Sequence, residues 1–310
     1  MALPSLDALL ATGCPVTVCA RPWAHDLLKG YDLAGFVAMD ASWNQNRKRL
    51  KSHIEATDGG RPPRLGLLLP DSLSSALTFR LAGLRSAGYI DDGRRFLLKW
   101  PITKPAAPLH AVESWYYLTR IALQRWGLTV PPEHPARTLG LKLTKEHEIQ
   151  AQQCLQQATL PSGRFIVIAP TATGQHKGRV KVWPGFDTLT RALQRDGHTV
   201  VMAPPKAERE QAVRNAPTAI CLEPLGLGAF ATLTREAAVV ICNDSGVSHI
   251  AAAAGARQIT LFGVTEQTRT GPWSDTAVCM GAMNQWPDVE AVLKKTRELL
   301  SSNIIHHSYA

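Results

Sequence analysis

Short apolar runs alternate with helix-forming stretches throughout the second half of the chain, and this alternation limits the folds that the chain can adopt. The runs at 165–169, 198–203, 238–242 and 257–262 are five or six residues long, the length of buried strands rather than of helices. Strands that alternate with helices form parallel sheets covered by helices. We therefore predict an α/β unit with a parallel, Rossmann-like sheet, completed by a strand at 219–222 and helices at 186–195, 205–214, 229–237, 246–254 and 288–300.

The first half of the chain shows the same alternation of strands and helices, but less regularly. Its candidate elements are strands at 16–19, 36–39 and 65–69, helices at 72–87 and 111–126, and a proline-rich loop at 101–108. A proline-rich connector at 131–140 and a polar helical stretch at 144–158 lead to a Pro-Ser-Gly turn that begins at Pro161. We place the boundary at this turn, so that residues 1–160 and 161–310 form two domains of ordinary size.

The composition excludes several classes of protein. No apolar run approaches the roughly 20 residues that cross a bilayer, and the first twelve residues carry Asp7 and no basic start, unlike a secretory signal. The six cysteines include no CxxC pair and the ten histidines no HExxH spacing, so we expect neither a disulfide framework nor a metal site. We predict a cytoplasmic protein without a transmembrane segment.

Positive charge is concentrated in the first half of the chain. Residues 42–104 hold 12 Lys and Arg against 5 Asp and Glu, a net charge of +7. Two clusters, Arg47-Lys48-Arg49 and Arg94-Arg95, could meet nucleic acid, an anionic membrane surface or a phosphorylated glycolipid, although an ordinary solvated basic face explains them equally well. Nucleic acid is the least favoured partner, because aromatic residues make up only 6% of the chain and no nucleic-acid-binding motif accompanies the charge.

The segment 237–255 carries the clearest chemical signal. A buried strand runs into an Asn-Asp-Ser-Gly turn and then into a helix rich in alanine. Asp244 or Ser245 can cap this helix, Gly246 permits close backbone approach, and His249 lies one turn further on. The amino end of such a helix attracts an anion such as a phosphate. Taken alone, however, these residues are more simply a helix cap and a packed histidine.

Neighbouring motifs change this interpretation. The turn, His249, the later Leu261-Phe262-Gly263-Val264-Thr265 and the Thr270-Gly271-Pro272-Trp273 segment together resemble the signature of glycosyltransferase family 9, the heptosyltransferases. The family also has a strand, a hydroxyl-bearing loop and a Lys-x-Trp-Pro element, which the following residues match: Ile166 to Pro170, Thr171, Thr173, Lys177, Lys181 and Val182-Trp183-Pro184.

The first half resembles the family less specifically. Residues 67–98 look like the acceptor domain of the heptosyltransferase II type, so the resemblance covers nearly the whole chain. It implies a GT-B architecture, in which two Rossmann-like domains with parallel sheets enclose an interdomain cleft. It also implies inverting transfer of a heptose from ADP-heptose to the anionic lipopolysaccharide core, at the inner face of the cytoplasmic membrane.

The resemblance also assigns residues. The loop and turn residues bind the donor: Thr171, Thr173, Lys177, Lys181, Asp244, Ser245, Gly246 and His249. Lys181 holds the family position and is the catalytic candidate, because a fixed cation stabilises the charge that concentrates on a departing nucleoside diphosphate. The acceptor-binding candidates are Arg47, Lys48, Arg49, Arg94 and Arg95. No cofactor or metal is obligatory, although the residues leave room for a loosely bound magnesium ion.

The chain departs from the family pattern at its start. Family members begin with a strand and a Gly-Asp turn whose aspartate acts as the base, whereas Met1 to Leu10 matches only the helix that follows. Asp7 does not occupy the position of that aspartate. We therefore expect translation to begin about 20 residues earlier, the length of a strand and its turn. Val264 and Glu266-Gln267 also replace a family proline and Asp-Pro pair, which leaves the donor sugar open.

Three alternatives remain at this point. A related GT-B transferase could use another nucleotide sugar, and a protein without the family base could bind a nucleotide sugar or glycolipid without turnover. A nicotinamide dehydrogenase is the least favoured, because no GxGxxG follows an early strand.

Overall fold

The computed structural model describes residues 1–57, 64–160, 165–176 and 178–301, and the chain divides into two compact units, Met1–Ala136 and Arg137–Ala310. The boundary predicted after residue 160 therefore lies inside the second unit. The polar helix at Lys145–Gln157 packs against a helix at Leu227–Glu236, and the Leu141 amide donates to the Ala253 carbonyl at 2.9 Å. These contacts attach the segment after residue 136 to the second unit.

The first unit contains two parallel sheets, with strand order β1-β2 and β3-β4-β5. Its elements in chain order are α1 Leu3–Leu10, β1 Thr17–Ala20, α2 Trp23–Leu27, β2 Gly35–Ala38, α3 Trp43–Thr57, β3 Leu65–Leu68, α4 Leu73–Leu81, β4 Arg85–Tyr89, a 3-10 turn Arg94–Leu97, β5 Trp100–Ile102 and α5 Ala111–Trp126.

The helix predicted over 72–87 is wrong in its second half. Ser72 caps α4 by accepting from the Ser75 amide, and the helix ends at Leu81, before Gly83 adopts the left-handed conformation at φ +88°. The chain then returns as β4, whose last four residues are buried. Glycine tolerates positive φ at no steric cost, which explains the stop. Part of the predicted proline-rich loop likewise forms β5 against β4.

The second unit is built on a six-stranded, all-parallel sheet with strand order β10-β9-β6-β11-β12-β13. The six strands of this sheet are, in chain order, β6 Phe165–Ala169, β9 Thr199–Met202, β10 Ile220–Cys221, β11 Val239–Asn243, β12 Gln258–Leu261 and β13 Ala277–Met280. Two further strands, β7 Gln175–His176 and β8 Arg179–Val180, pair with each other in a separate two-stranded sheet. The helices of the second unit are α6 Lys145–Gln157, α7 Phe186–Arg195, α8 Arg209–Asn215, α9 Leu227–Glu236, α10 Gly246–Ala254, α11 Gln267–Thr270 and α12 Val289–Ser301. The sequence did not indicate β13 or the antiparallel β7–β8 hairpin.

Apolar side chains on both faces of this sheet are buried, as expected for a parallel sheet covered by helices. Alternate residues of the two central strands divide between two clusters. Ile168 and Ile241 pack with α7 and α12, whereas Val167 and Val240 pack with α6, α9 and α10. Within the described ranges, the structure has no helix with the length and apolar character that a membrane crossing requires.

Candidate active site

The strand order of the second unit creates a switch point between β6 and β11. From β6 the chain proceeds outward through β9 and β10, whereas β11, β12 and β13 extend the sheet in the opposite direction. In open parallel sheets, ligands bind outside the carboxyl ends of the strands where the order reverses. The loop after β6 and the turn after β11 lie at this position, and they carry the donor-site residues predicted from the sequence.

Lys181 and Asp244 form an ion pair at this edge. Lys181 Nζ lies 2.9 Å from Asp244 Oδ2, and the two side chains are 19% and 6% exposed. Thr265, after β12, donates its hydroxyl to the same carboxylate oxygen at 2.6 Å. A nearly buried carboxylate is stable as a charge only with such partners. The pair therefore fixes the lysine ammonium, whose three N–H donors allow it to bind an anion as well as the carboxylate.

Asn243 fastens the lysine-bearing loop to β11. Its side chain is fully buried, and its Oδ1 accepts from the Trp183 amide at 2.9 Å. Its Nδ2 donates to the carbonyls of Ala169 and Thr171, each at 3.2 Å. One amide therefore ties both ends of the loop that carries Lys181. Sequence reasoning read Asn243 only as part of the turn and missed this role, which depends on contacts across the sheet.

Ser245, rather than Asp244, caps α10. Its Oγ accepts from the Val247 amide at 3.3 Å, in the usual manner of an N-cap serine. Gly246 is exposed, and a Cβ placed on it would meet no atom within 4 Å in the part of the chain that the structure describes. Open space therefore lies in front of the first turn of α10, where the helix dipole favours an anion. His249 lies one turn further along and is half-buried.

The loop after β6 contributes hydroxyl groups to the same edge. Thr171 is 7% exposed and donates its Oγ1 to Glu208 Oε2 at 2.5 Å, whereas Thr173 is exposed. Lys177 lies outside the described residues. Glu208 follows β9 and was not among the predicted site residues. Its only signal in the sequence is its place shortly after a strand of the parallel sheet, where ligand-binding loops occur.

The pKa values of two neighbouring thiols show that the surroundings of the Lys181–Asp244 pair are buried. The pKa of Cys242 is raised to about 12 and that of Cys279 to about 11, mainly by desolvation and in smaller part by the negative charge of Asp244. Cys242 lies on β11 and Cys279 on β13. The carboxylate therefore lies in a poorly hydrated environment, in which a fixed ammonium interacts with an anion more strongly than in water. Nowhere in the described ranges do three His, Cys, Asp or Glu side chains group as a metal site would require.

The acceptor-binding candidates lie on α3 and the 3-10 turn of the first unit. Lys48 and Arg95 are exposed, and Arg47 is half-buried with its guanidinium donating to Asn44. Arg49 forms an ion pair with Asp40 at 3.0 Å. These four side chains keep some contact with solvent.

Arg94 has a different role from the predicted one. It is 0% exposed, and its guanidinium donates to the Tyr89 carbonyl at 2.7 Å, the Pro70 carbonyl at 2.5 Å and Asp71 Oδ1 at 3.2 Å. Desolvation lowers the pKa of this guanidinium, and Asp71 opposes the shift. Arg94 therefore anchors the 3-10 turn to the ends of β3 and β4 and does not face an acceptor.

Comparison with known proteins assigns the family. The model of glycosyltransferase family 9 (heptosyltransferase) matches residues 64–298, so the chain belongs to this family and is a glycosyltransferase. A comparison with curated protein sequences finds no significant match.

Solved structures support the predicted GT-B fold. E. coli ADP-heptose LPS heptosyltransferase II aligns with 97% of this chain and 95% of its own, at a TM-score of 0.74 and 21% identity. The family 9 glycosyl transferase from Veillonella parvula DSM 2008 aligns over 97% and 95%, at a TM-score of 0.77 and 14% identity. E. coli heptosyltransferase WaaC with ADP-2-deoxy-2-fluoro heptose aligns with 96% of this chain and 94% of its own, at a TM-score of 0.72 and 19% identity.

Proposed function

We propose that the chain transfers a heptose from ADP-heptose, with inversion, to an anionic lipopolysaccharide-core acceptor. The observation that carries this proposal is the Lys181–Asp244 pair beside the open first turn of α10. A site of this kind matches a nucleoside diphosphate, because it combines a fixed ammonium with the positive end of a helix dipole. The family gives the chemical class, and the crystallised relative with an ADP-heptose analogue motivates the choice of donor.

In the proposed reaction a base removes the proton of the acceptor hydroxyl, and the oxygen attacks the anomeric carbon on the face opposite the diphosphate. The bond to ADP breaks as the new bond forms, which inverts the anomeric configuration. Lys181 and the amino end of α10 stabilise the charge that develops on ADP, while Ser245 and Thr171 supply hydroxyl groups nearby. Asp244 holds Lys181 in position. No residue of this chain is assigned as the base.

We place the acceptor on the first unit, where Arg47, Lys48, Arg49 and Arg95 offer positive charge to phosphate groups. Such an acceptor is a membrane lipid, so we propose that the protein works at the inner face of the cytoplasmic membrane as a peripheral enzyme. Charge reversal at the first three of these residues should weaken acceptor use and spare donor binding. An unchanged acceptor dependence would remove this assignment.

The test is a transfer assay with defined donors. The chain is incubated with lipopolysaccharide core that carries either no heptose or one heptose, together with ADP-heptose, ADP-glucose or UDP-glucose, and the mass of the acceptor is measured by mass spectrometry. The proposal predicts that one heptose is added to the acceptor when the donor is ADP-heptose and that no sugar is added from the other two donors. Transfer from another donor would retain the transferase and reject the heptose. Donor binding without transfer, by calorimetry on the same sample, would indicate a binding protein instead.

A further inference from the structure

Helix α4 of the first unit is apolar on two sides. Ala76 and Thr78 face the interior and are 0% and 4% exposed. Leu73, Leu77 and Leu81 follow one another at four-residue spacing, which puts them on one side of the helix. Leu73 and Leu81 are 49% and 47% exposed, and Leu77 is half-buried. The outer side of a helix that covers a sheet ordinarily carries polar residues, so this side requires an explanation.

A second apolar group projects next to α4. Phe96 is 91% exposed, the largest value among the large apolar side chains that the structure describes. It belongs to the 3-10 turn that the buried Arg94 anchors, and Gly93 begins this turn in the left-handed conformation at φ +69°. Leu97 and Leu98 pack the turn against α4. Phe96 is thus held outward by a fixed turn rather than by a loose loop.

The exposed leucines lie between the 3-10 turn and α3. On one side of α4, Ala76 contacts the cluster that contains Leu97 and Leu98. On the other side, the Thr78 hydroxyl lies 3.5 Å from the Trp43 carbonyl at the start of α3. We call Leu73, Leu77, Leu81 and Phe96 the leucine–phenylalanine surface.

Exposed cations lie on α4 itself and on the two elements that contact it, α3 and the 3-10 turn. Lys48 and Lys51 lie on α3, Arg80 on α4 and Arg95 on the 3-10 turn, and all four are exposed. Lys51 shares an exposed ion pair with Glu55 at 3.7 Å, but within the described ranges the other three cations form no ion pair. The segment 42–104, which contains the whole surface, carries a net charge of +7.

We propose that the leucine–phenylalanine surface docks the enzyme on an anionic lipid bilayer, with Phe96 and the leucines entering the headgroup boundary and the cations contacting lipid phosphates. Apolar side chains bordered by Lys and Arg are the features by which peripheral proteins bind such membranes. A second copy of the chain fits poorly, because it would bring two strongly positive surfaces together. The proposal rests on the proposed function in one respect, since a membrane-bound acceptor is what the enzyme would have to reach.

Vesicle flotation tests this proposal with the full chain. Vesicles of phosphatidylcholine alone are compared with vesicles of phosphatidylcholine and phosphatidylglycerol, neither of which contains an acceptor. We expect binding to the anionic vesicles at least about tenfold above binding to the neutral ones, and a decrease when salt is raised. Phe96→Ser and Leu81→Ser should each reduce binding several-fold, and Arg95→Glu should reduce it on anionic vesicles.

Matched controls lie in the second unit. Ile149 and Val213 are also exposed, at 44% and 40%, so Ile149→Ser and Val213→Ser remove comparable apolar groups far along the chain. Arg214→Glu controls for the charge change. These variants should bind vesicles as the parent protein does, and thermal unfolding verifies that all variants fold.

Several results of these experiments would overturn the proposed docking of the leucine–phenylalanine surface on a membrane. Failure of the parent protein to bind anionic vesicles, or equal binding by Phe96→Ser and Leu81→Ser, would overturn the proposal. Self-association that these two substitutions abolish would assign the surface to a second copy instead. Calorimetric titration of ADP tests the donor site separately, so that a defect in nucleotide binding is not mistaken for a defect in docking.

Discussion

Asp244 binds both Lys181 and Thr265 through a single carboxylate oxygen, at 2.9 and 2.6 Å. The three residues come from the loop after β6, the turn after β11 and the segment after β12. The contact therefore joins the connections that follow three adjacent strands of the sheet, at its carboxyl edge. A lysine positioned this firmly loses little rotational freedom when an anion arrives, which favours binding.

Gly246→Ala should separate ligand binding from folding. An added Cβ at Gly246 meets no atom of the described residues within 4 Å, so Gly246→Ala should change the free energy of unfolding by less than about 0.5 kcal/mol. The methyl group would nevertheless occupy the space in front of α10, and ADP affinity should fall roughly tenfold. Gly228→Ala is the contrasting control, because its Cβ would overlap the His147 ring, and this substitution should cost about 1–3 kcal/mol of stability. Equal ADP affinity of Gly246→Ala and the parent protein would exclude this space from the site.

Asn243 should support the loop that carries Lys181. Asn243→Ala removes three buried hydrogen bonds and should lower the stability of the second unit by roughly 2–4 kcal/mol. Asn215→Ala removes a single bond, from Asn215 to the Pro170 carbonyl, and should cost about 1 kcal/mol. Urea denaturation followed by circular dichroism measures both. If the two variants lose the same stability, Asn243 does not fasten the loop.

Arg94 and Arg95 should differ sharply although they are adjacent. Arg94→Ala removes the guanidinium that donates to the Tyr89 and Pro70 carbonyls and should destabilise the first unit by roughly 3 kcal/mol. Arg95→Ala affects an exposed side chain and should stay within about 0.5 kcal/mol of the parent protein. Thermal unfolding distinguishes these results, and similar melting temperatures for the two variants would contradict the anchoring role.

Cys242 should make stability depend on pH in the alkaline range. Burial raises the pKa of its thiol from 9.0 to about 12, so the thiol stays protonated in the folded state while it ionises in the unfolded chain. Stability from this group is complete below pH 9 and is lost as pH rises toward 12. The stability of the parent protein relative to Cys242→Ala should therefore decrease by roughly 1.4 kcal/mol per pH unit above about pH 9. A difference that stays constant from pH 8 to about 10.5 would show that the thiol titrates equally in both states.

Much of the second unit could be predicted because its signals are local. The helix predicted at 246–254 matches α10, which Ser245 caps and the left-handed Gly255 ends. The helix at 186–195 matches α7. By contrast, Arg85 to Tyr89 consists of small and polar residues without a strand pattern, so its pairing in β4 depends on β3 and could not be read from its own sequence.

The candidate site also contains features that the sequence could predict and features that it could not. The turn at Asp244 was predicted because a strand, a polar turn and a helix follow one another in the sequence. The partner of Asp244 could not be predicted, since Lys181 reaches it only when β6 and β11 are neighbours in the sheet. The Arg94-Arg95 pair shows the same limit, because two identical residue types differ only in what the fold packs around them.

ADP-heptose turnover by Lys181→Met, with Lys295→Met as the matched control, tests the role of the Lys181–Asp244 pair. Lys295 forms an exposed ion pair with Glu298 on α12 of the same unit, so its loss removes the same charge away from the site. We expect a decrease in kcat of roughly 100-fold for Lys181→Met and weaker ADP binding, with Lys295→Met within about twofold of the parent protein. Equal turnover by the two variants would contradict the assignment of Lys181 and Asp244 as the donor site.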